Sequence, residues 1–393
     1  MPVQVITTVG ASIFANCLKD EGIEKDVLDV IEQAPLSEWE KHKVEIEDIK
    51  SGVKKWLNRP DRSCAEISSL EKIAEKVDEI EVHFLTTDTI ASKLAAQILC
   101  NHFSVNNLIT CQEGKIQEVN GLQVKNRDDF EKNGLPHLLE KIQKITEGYG
   151  KENCALNITG GYKATIPFLT IVAQTQGIPI YYSFEDSERT KYQLLKMPRL
   201  PISINWQTLF EFSKNFEEID NGSVEIKEWV NYKRKNNLPN EFDDFYMELH
   251  GMGVVCLNGI GTFVAKELQS HFFVSFPLGC PLFSEEVTKK RSVEESIIEL
   301  QRRLDTITDD FSVFKDVDIK HAKVGFDTWI YKHSNPQIRL HYRYDASKKN
   351  LIVFNYLFIL SKSDDLNYKS KFEREMPFLD KQQLQIIGFK KAY

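Results

Sequence analysis

Two stretches of this 393-residue chain combine residue types and spacing that suit phosphate chemistry. The first is Asn157-Ile158-Thr159-Gly160-Gly161-Tyr162-Lys163, entered by the apolar run Cys154-Ala155-Leu156 and followed by a helix-compatible segment from Ile166 to Ala173. A strand, a tight loop and a helix follow from that order. The glycine pair lets the backbone approach a ligand closely. The helix start offers free N–H groups and a positive dipole end, and Lys163 adds a full charge. The same pattern also serves as an ordinary turn of an α/β sheet. The second stretch is the strand Ile338 to Tyr344. Period-two alternation places Arg339, His341 and Arg343 on one face and Leu340, Tyr342 and Tyr344 on the other. The expectation is one packed face and one open cationic face, extended by Lys332, Lys362 and Lys369. Such a face suits a phosphate backbone. It also suits RNA cleavage without a metal, in which a base takes the 2′-OH proton and cations hold the charge of the pentavalent phosphate.

The elements that position the first loop alternate between strand and helix. Val3 to Gly10 reads as a strand ending in glycine, followed by a helix from Ala11; Ile80 to Leu85 is a second strand, then Thr86-Thr87-Asp88-Thr89 and a helix with Ala91, Leu94, Ala95 and Ile98 on one side. Asn107 to Thr110 and Ile178 to Phe184 complete the strand set. Such alternation predicts a parallel, doubly wound sheet with ligands at the carboxyl ends of its strands. Three polar loops then collect there: Thr8 to Ser12, Thr86 to Thr89, and Thr159 to Lys163. The dinucleotide fingerprint G-x-G-x-x-G and the pattern G-x-x-x-x-G-K-[ST] are absent, which argues against an NAD or ATP site.

Bulk properties narrow the class. A net charge of −8 excludes a general polyanion binder, so nucleic-acid contact must come from a local patch. Residues 283–393 carry 20 Lys and Arg against 17 Asp and Glu, a basic segment in an acidic chain. Seven scattered cysteines without a C-x-x-C pair point to a reducing compartment and away from a zinc knuckle. No basic leader and no long apolar run is present, so a cytoplasmic protein without a membrane segment is expected. Between the two ends, Trp206 to Phe212, Val224 to Val230 and Phe242 to Leu249 read as helices. Val254 to Leu257, Asn258-Gly259 and Ile260 to Val264 carry a hairpin signature. Three small helices and a hairpin resemble a winged helix-turn-helix; its acidic residues favour a connector or dimerisation role over DNA binding. The expected architecture is α/β and α+β multidomain: a Rossmann-like parallel-sheet domain over 1–190, a winged-helix connector over 191–282, and an antiparallel sheet with helices over 283–393.

Two family resemblances follow. Thr8-Val9-Gly10 with Ser12 and Asn16, then Gly121-Leu122-Gln123-Val124 with Phe130 and Gly134-Leu135, then Asn157 to Lys163, resemble the CRISPR-associated Rossmann-fold (CARF) sensor domain. That resemblance implies a homodimer with one cleft across its two-fold axis, and a cyclic oligoadenylate activator, most often the tetra-adenylate. The residues carried over are Gly10, Ser12, Thr87, Asn157, Thr159, Gly160, Gly161 and Lys163. Some such sensors also cleave their ligand slowly. The strands from Thr328 to Leu360, with the trailing Ser361-Lys362-Ser363, are similar to the RelE family of ribosome-dependent mRNA interferases. The match runs over 311–379. It implies mRNA as substrate, the ribosome as partner, 2′-OH attack in the ribosomal A site, and no metal or other cofactor. Arg339 falls on the family's catalytic arginine, Lys332 and Lys362 near its basic positions, and Tyr368 near its tyrosine. Leu360 and Ser361 replace the usual double lysine. His341, His333 and Arg343 are additions, each histidine a candidate acid or base.

Sensors of the CARF family also occur fused to other effectors. None of the nine histidines has an arginine at the upstream distance required by the R-x(4–6)-H ribonuclease motif. Asp318-Ile319-Lys320, with Asp316, is a candidate D-x-K of a metal-dependent nuclease. Lys233, Arg234 and Lys235 are a small basic candidate for a ligand-controlled DNA regulator.

Overall fold

The structure, a computed structural model, describes residues 2–32, 34–122, 127–185, 192–200, 204, 206–249, 251–284, 286–305, 322–324, 328–345, 350–379 and 381–390. By its internal contacts the chain divides into two compact units. One comprises Met1–Ile204 with Gly222–Phe263, the other Asn205–Asn221 with Val264–Tyr393.

The first unit is built on a six-stranded sheet of order β3-β2-β1-β4-β5-β6. Its strands are β1 (Val3–Thr8), β2 (Ile80–Thr87), β3 (Ile109–Val119), β4 (Cys154–Asn157), β5 (Ile180–Glu185) and β6 (Tyr192–Lys196). The first five run parallel, and β6 pairs antiparallel to β5. Alternate residues of the central strands enter different cores because both faces are covered. Val5, Val82 and Phe84 join a core with α1 (Ser12–Lys19), α2 (Lys25–Glu32), α3 (Lys43–Leu57), α4 (Ala65–Val77) and α5 (Ile90–Phe103). Ile6, Leu85 and Leu156 join the opposite core with α7 (Leu135–Tyr149) and α8 (Ile166–Gln176); a single turn, α6 (Arg127–Asp129), precedes α7. Hence the sequence expectation of a doubly wound, mostly parallel sheet agrees with the architecture. β3 runs past the expected Thr110 to Val119, with a register break against β2 between Val82 and Phe84.

The chain then forms α9 (Trp206–Glu211) and α10 (Ser213–Asp220), which belong to the second unit. It returns to the first with β7 (Val224–Glu225), α11 (Ile226–Asn236), β8 (Tyr246–Leu249) and β9 (Val254–Leu257). These three strands make a small sheet of order β7-β9-β8. Two readings of this region are corrected. The segment from Phe242 is a 3₁₀ turn (Asn240–Phe245) running into β8 rather than a helix. The expected Asn-Gly hairpin is instead a helix start. Asn258 Oδ1 accepts from the Gly261 N–H at 2.9 Å, and α12 (Gly259–Ser270) follows. Asparagine serves a helix N-cap as readily as a tight turn, and here the cap wins.

The second unit holds a mixed sheet of order β11-β12-β13-β14-β10-β15. Its strands are β10 (His271–Pro277), β11 (Ala322–Val324), β12 (Thr328–His333), β13 (Ile338–Asp345), β14 (Asn350–Phe358) and β15 (Leu384–Lys390). The expected meander is present as β12-β13-β14, antiparallel throughout. β10 joins it parallel to β14, and β15 closes antiparallel on β10. One face packs on α13 (Val287–Asp305) through Val293, Ile297 and Leu300 against Leu340, Tyr342 and Val353. The other face packs on α14 (Lys362–Leu379) through Tyr368, Phe372 and Met376.

Candidate functional site

Two polar clusters carry the candidate residues, one in each unit. In the first unit, β1 and β4 are neighbours whose following segments cross to opposite faces of the sheet. A crevice at the carboxyl ends of such strands is the ordinary ligand position of a doubly wound fold. The loops after β1 and β4 meet there. Thr8 Oγ1 donates to the Gly160 carbonyl at 2.7 Å. A Cβ built on Gly10 would lie 3.0 Å from the Gly161 nitrogen, and one on Gly161 only 2.6 Å from Thr8 Cβ. Gly161 also has φ +83°, where a side chain is strained. Both glycines are therefore set by the closeness of the two loops.

Asn157 is buried and organises the second loop. Its Oδ1 accepts from the Thr159 N–H at 3.2 Å and the Thr159 hydroxyl at 2.7 Å, and its Nδ2 donates to Ser69 Oγ at 2.8 Å. Thr159 Oγ1 in turn accepts from the Ser183 N–H at 2.8 Å, tying the loop to β5. Thr159 and Asn157 thus act as framework, while Lys163 stands exposed on a 3₁₀ turn that leads into α8. The Thr87 N–H donates to Ser92 Oγ, and its hydroxyl lies 2.8 Å from that of Thr89, which caps α5. Ser92 Oγ donates to the Val9 carbonyl at 3.0 Å, so the three polar loops form one connected set.

One member of this set was not foreseen. Glu66, in the first turn of α4, is fully buried beneath the two loops. Its carboxylate accepts from the Gly10 N–H at 3.2 Å and from the Ser12 hydroxyl, and a Cβ on Gly160 would strike it. An acidic residue in a first helical turn is a common sequence feature. Nothing in its spacing ties it to Gly10. Its presence directs two loop donors, the Gly10 N–H and the Ser12 hydroxyl, inward.

In the second unit, Arg339, Lys332 and Tyr368 come together, whereas His341 and Arg343 lie further along β13. The Arg339 guanidinium carbon lies 5.7 Å from the Tyr368 ring centroid and Lys332 Nζ lies 5.6 Å from it. Lys362 is exposed at the first residue of α14. The expectation of an open cationic face is corrected, because α14 covers it. Arg339 is only 7% exposed and forms an ion pair with Asp365 at 2.6 Å. His341 is fully buried, stacked on Phe372 with ring centroids 5.0 Å apart. Its Nε2 lies 2.8 Å from Thr328 Oγ1, and Nδ1 has no hydrogen-bond partner among the described residues. Burial, with the nearby Arg343 charge, lowers its pKa to about 4. An imidazolium needs partners for two N–H groups, so His341 is a neutral core residue near pH 7 and not a solvent-facing acid or base. Arg343 lies over the Phe354 ring at 5.3 Å. His333 stays half-buried, its Nε2 3.0 Å from the Asn335 carbonyl.

The D-x-K candidate, Asp316 and Asp318 with Lys320, lies outside the described residues, as do Gln123 and Val124 of the sensor resemblance. Lys233 of the basic triplet on α11 is held by Asp243 at 2.7 Å.

Comparison with known families bears on the first unit. Residues 61–200 match the family described as CRISPR-associated protein (Cas_APE2256). That segment is similar to a CRISPR-associated family. The match begins before α4 and ends after β6, so it takes in Glu66, Thr87 and the whole loop from Asn157 to Lys163. The first loop and the second unit fall outside it. No curated protein matches the chain. No helix among the described residues is long and apolar enough to cross a membrane.

Proposed function

We propose that this protein is a cyclic oligoadenylate-controlled mRNA endoribonuclease of CRISPR defence, with the sensor in the first unit and the nuclease in the second. The observation that carries the reading is the meeting of the Gly10–Ser12 and Thr159–Lys163 loops at one sheet end, the second of them inside the segment similar to a CRISPR-associated family. A compact glycine loop before a helix start suits one phosphate group. A ring of phosphates with two-fold symmetry is met by two copies of that loop, which favours a homodimer; the tetra-adenylate as activator follows from the resemblance to the sensor family. In this assignment Lys163 and the Gly160–Gly161 backbone contact phosphate. Asn157, Thr159, Thr87 and Ser12 hold the loops in place.

The RelE resemblance and the Arg339–Lys332–Tyr368 cluster support the nuclease half. In the proposed reaction a base takes the 2′-OH proton as the 2′-oxygen attacks the adjacent phosphorus, and the 5′-oxygen leaves and takes up a proton, giving a 2′,3′-cyclic phosphate and a 5′-hydroxyl end. Arg339 and Lys332 stabilise the doubly charged phosphorane, where preorganised cations act most strongly. Lys362 draws the RNA backbone to the site. The reading assigns neither proton transfer to His341, whose place in the core removes it from the substrate.

The test is the fate of a reporter message in a translation extract. Adding the protein with cyclic tetra-adenylate should cut the message, and the Arg339→Ala variant should leave it whole. Equal message loss with and without the activator would refute the sensor half. Cleavage of naked RNA by the Arg339→Ala variant would refute the nuclease half.

A further inference from the structure

Arg339 does not offer a free guanidinium to a substrate. Its Nε and Nη2 both donate to Asp365 Oδ1, at 3.2 and 2.6 Å. Its Nη1 donates to the carbonyls of His333 and Ile338, at 3.4 and 3.3 Å. The side chain is 8% exposed, while that of Asp365 is 48% exposed. A carboxylate and a phosphate compete for the same planar fork of donors. Asp365 therefore occupies the place that a scissile phosphate would take on this arginine.

Asp365 is not required to start its helix. The neighbouring Asp364 does that work: its Oδ2 accepts from the Leu360 N–H at 3.2 Å and from the Ser361 hydroxyl at 2.8 Å, and its own N–H donates to Ser361 Oγ. Asp365 neutralises the largely buried Arg339, but its own carboxylate is about half exposed and faces an open cleft of about 590 Å³, so it has room to leave the arginine. Gln337, Ile359, Leu360, Ser361, Lys362 and Leu366 line that cleft with it. Lys362 stands at the same mouth, so an RNA phosphate drawn there arrives beside the carboxylate.

We propose that Asp365 is a built-in anion that masks Arg339 until RNA or the activated state displaces it. This rests on the nuclease reading above and adds its regulation. A change of side-chain rotamer at Asp365 takes its carboxylate into the cleft without unwinding the first turn of α14. Once it has moved, the Nε and Nη2 donors of Arg339 have lost their carboxylate acceptor and can take a phosphate oxygen in its place. The resting protein is then held inactive by one ion pair, and the activator has to shift only that local equilibrium.

The test is Asp365→Asn, which keeps size and removes the charge, with two readouts on the full chain. The first is message cleavage in a translation extract without cyclic tetra-adenylate; the second is phenylglyoxal labelling of Arg339 followed by mass spectrometry. The variant should raise activator-free cleavage at least about tenfold, as expected for losing one charge-assisted pair, and should raise Arg339 labelling. Lower cleavage in the activated variant would overturn the proposal, because Asp365 would then be positioning Arg339 rather than masking it. Unchanged labelling would overturn it as well. If neither wild type nor variant cuts any message, the nuclease reading fails, and labelling alone still decides whether Asp365 shields the arginine. Asp365→Ser, scored the same way, guards against misfolding of the first variant.

Discussion

Acidification should weaken the second unit through one residue, His341. In the folded protein burial holds this imidazole near pKa 4, against 6.5 for an ordinary histidine. The unfolded chain therefore binds a proton that the folded chain refuses between those values. Stability contributed by the neutral ring is whole above pH 6.5 and is lost as pH falls towards 4. At pH 5 the unfolded imidazole is almost wholly protonated and the folded one about a tenth protonated, which corresponds to about 2 kcal/mol. That is a large share of the stability of an ordinary domain. His341→Phe keeps an aromatic ring against Phe372 and removes the titration. Urea unfolding at pH 7 and pH 5, with hydrogen exchange read on peptides from β13 and β14, measures the effect. The wild type should lose about 2 kcal/mol more than the variant across this interval. Equal losses in the two proteins would refute the reasoning and would mean that His341 takes up a proton in the fold. The variant should also leave the pH profile of message cleavage between 6 and 8 without a new inflection.

Further perturbations test the first unit. His83 is buried beside Lys115 and has its pKa lowered to about 4, chiefly by burial. His83→Gln should therefore flatten the acid-side stability loss of the first unit, followed by exchange in β1 and β2. Glu66→Ala leaves the Gly10 N–H and the Ser12 hydroxyl without their acceptor. It should cost about 1–3 kcal/mol in thermal unfolding and weaken ligand binding at the same time. Gly161→Ala drives a methyl group into Thr8 and strains a positive φ, so calorimetric titration should show binding of cyclic tetra-adenylate lost. Lys163→Ala removes an exposed charge and should weaken that binding about tenfold or more while changing stability by less than about 0.5 kcal/mol.

The sequence made the framework of both units legible where period and punctuation agreed. β1, β2, β5 and the meander β12-β13-β14 lie within a few residues of expectation, because each is rich in β-branched, aromatic and other apolar residues and is bounded by turn-forming ones. The failures share a physical cause. Alternation along β13 tells which residues share a face, but not what covers that face. α14, arriving twenty residues later, turns Arg339 and His341 inward. Asn258 satisfied both a hairpin and a helix-cap rule, and only the packed neighbours decide between them. Glu66 and Asp365 are the residues most informative about the two sites. Both were invisible as single acidic residues in first helical turns, since their partners are 56 and 26 positions away.

The central claim is that ligand binding at the paired glycine loop of the first unit releases an RNA-cutting arginine in the second. Toeprinting of ribosomes translating a defined message, with wild-type protein and with Arg339→Ala, each with and without cyclic tetra-adenylate, tests it most directly. The account predicts new 5′ ends within the ribosomal A-site codon in the wild-type lane with activator, and in no other lane. Identical toeprints in all four lanes, or cleavage that persists in Arg339→Ala, would contradict it.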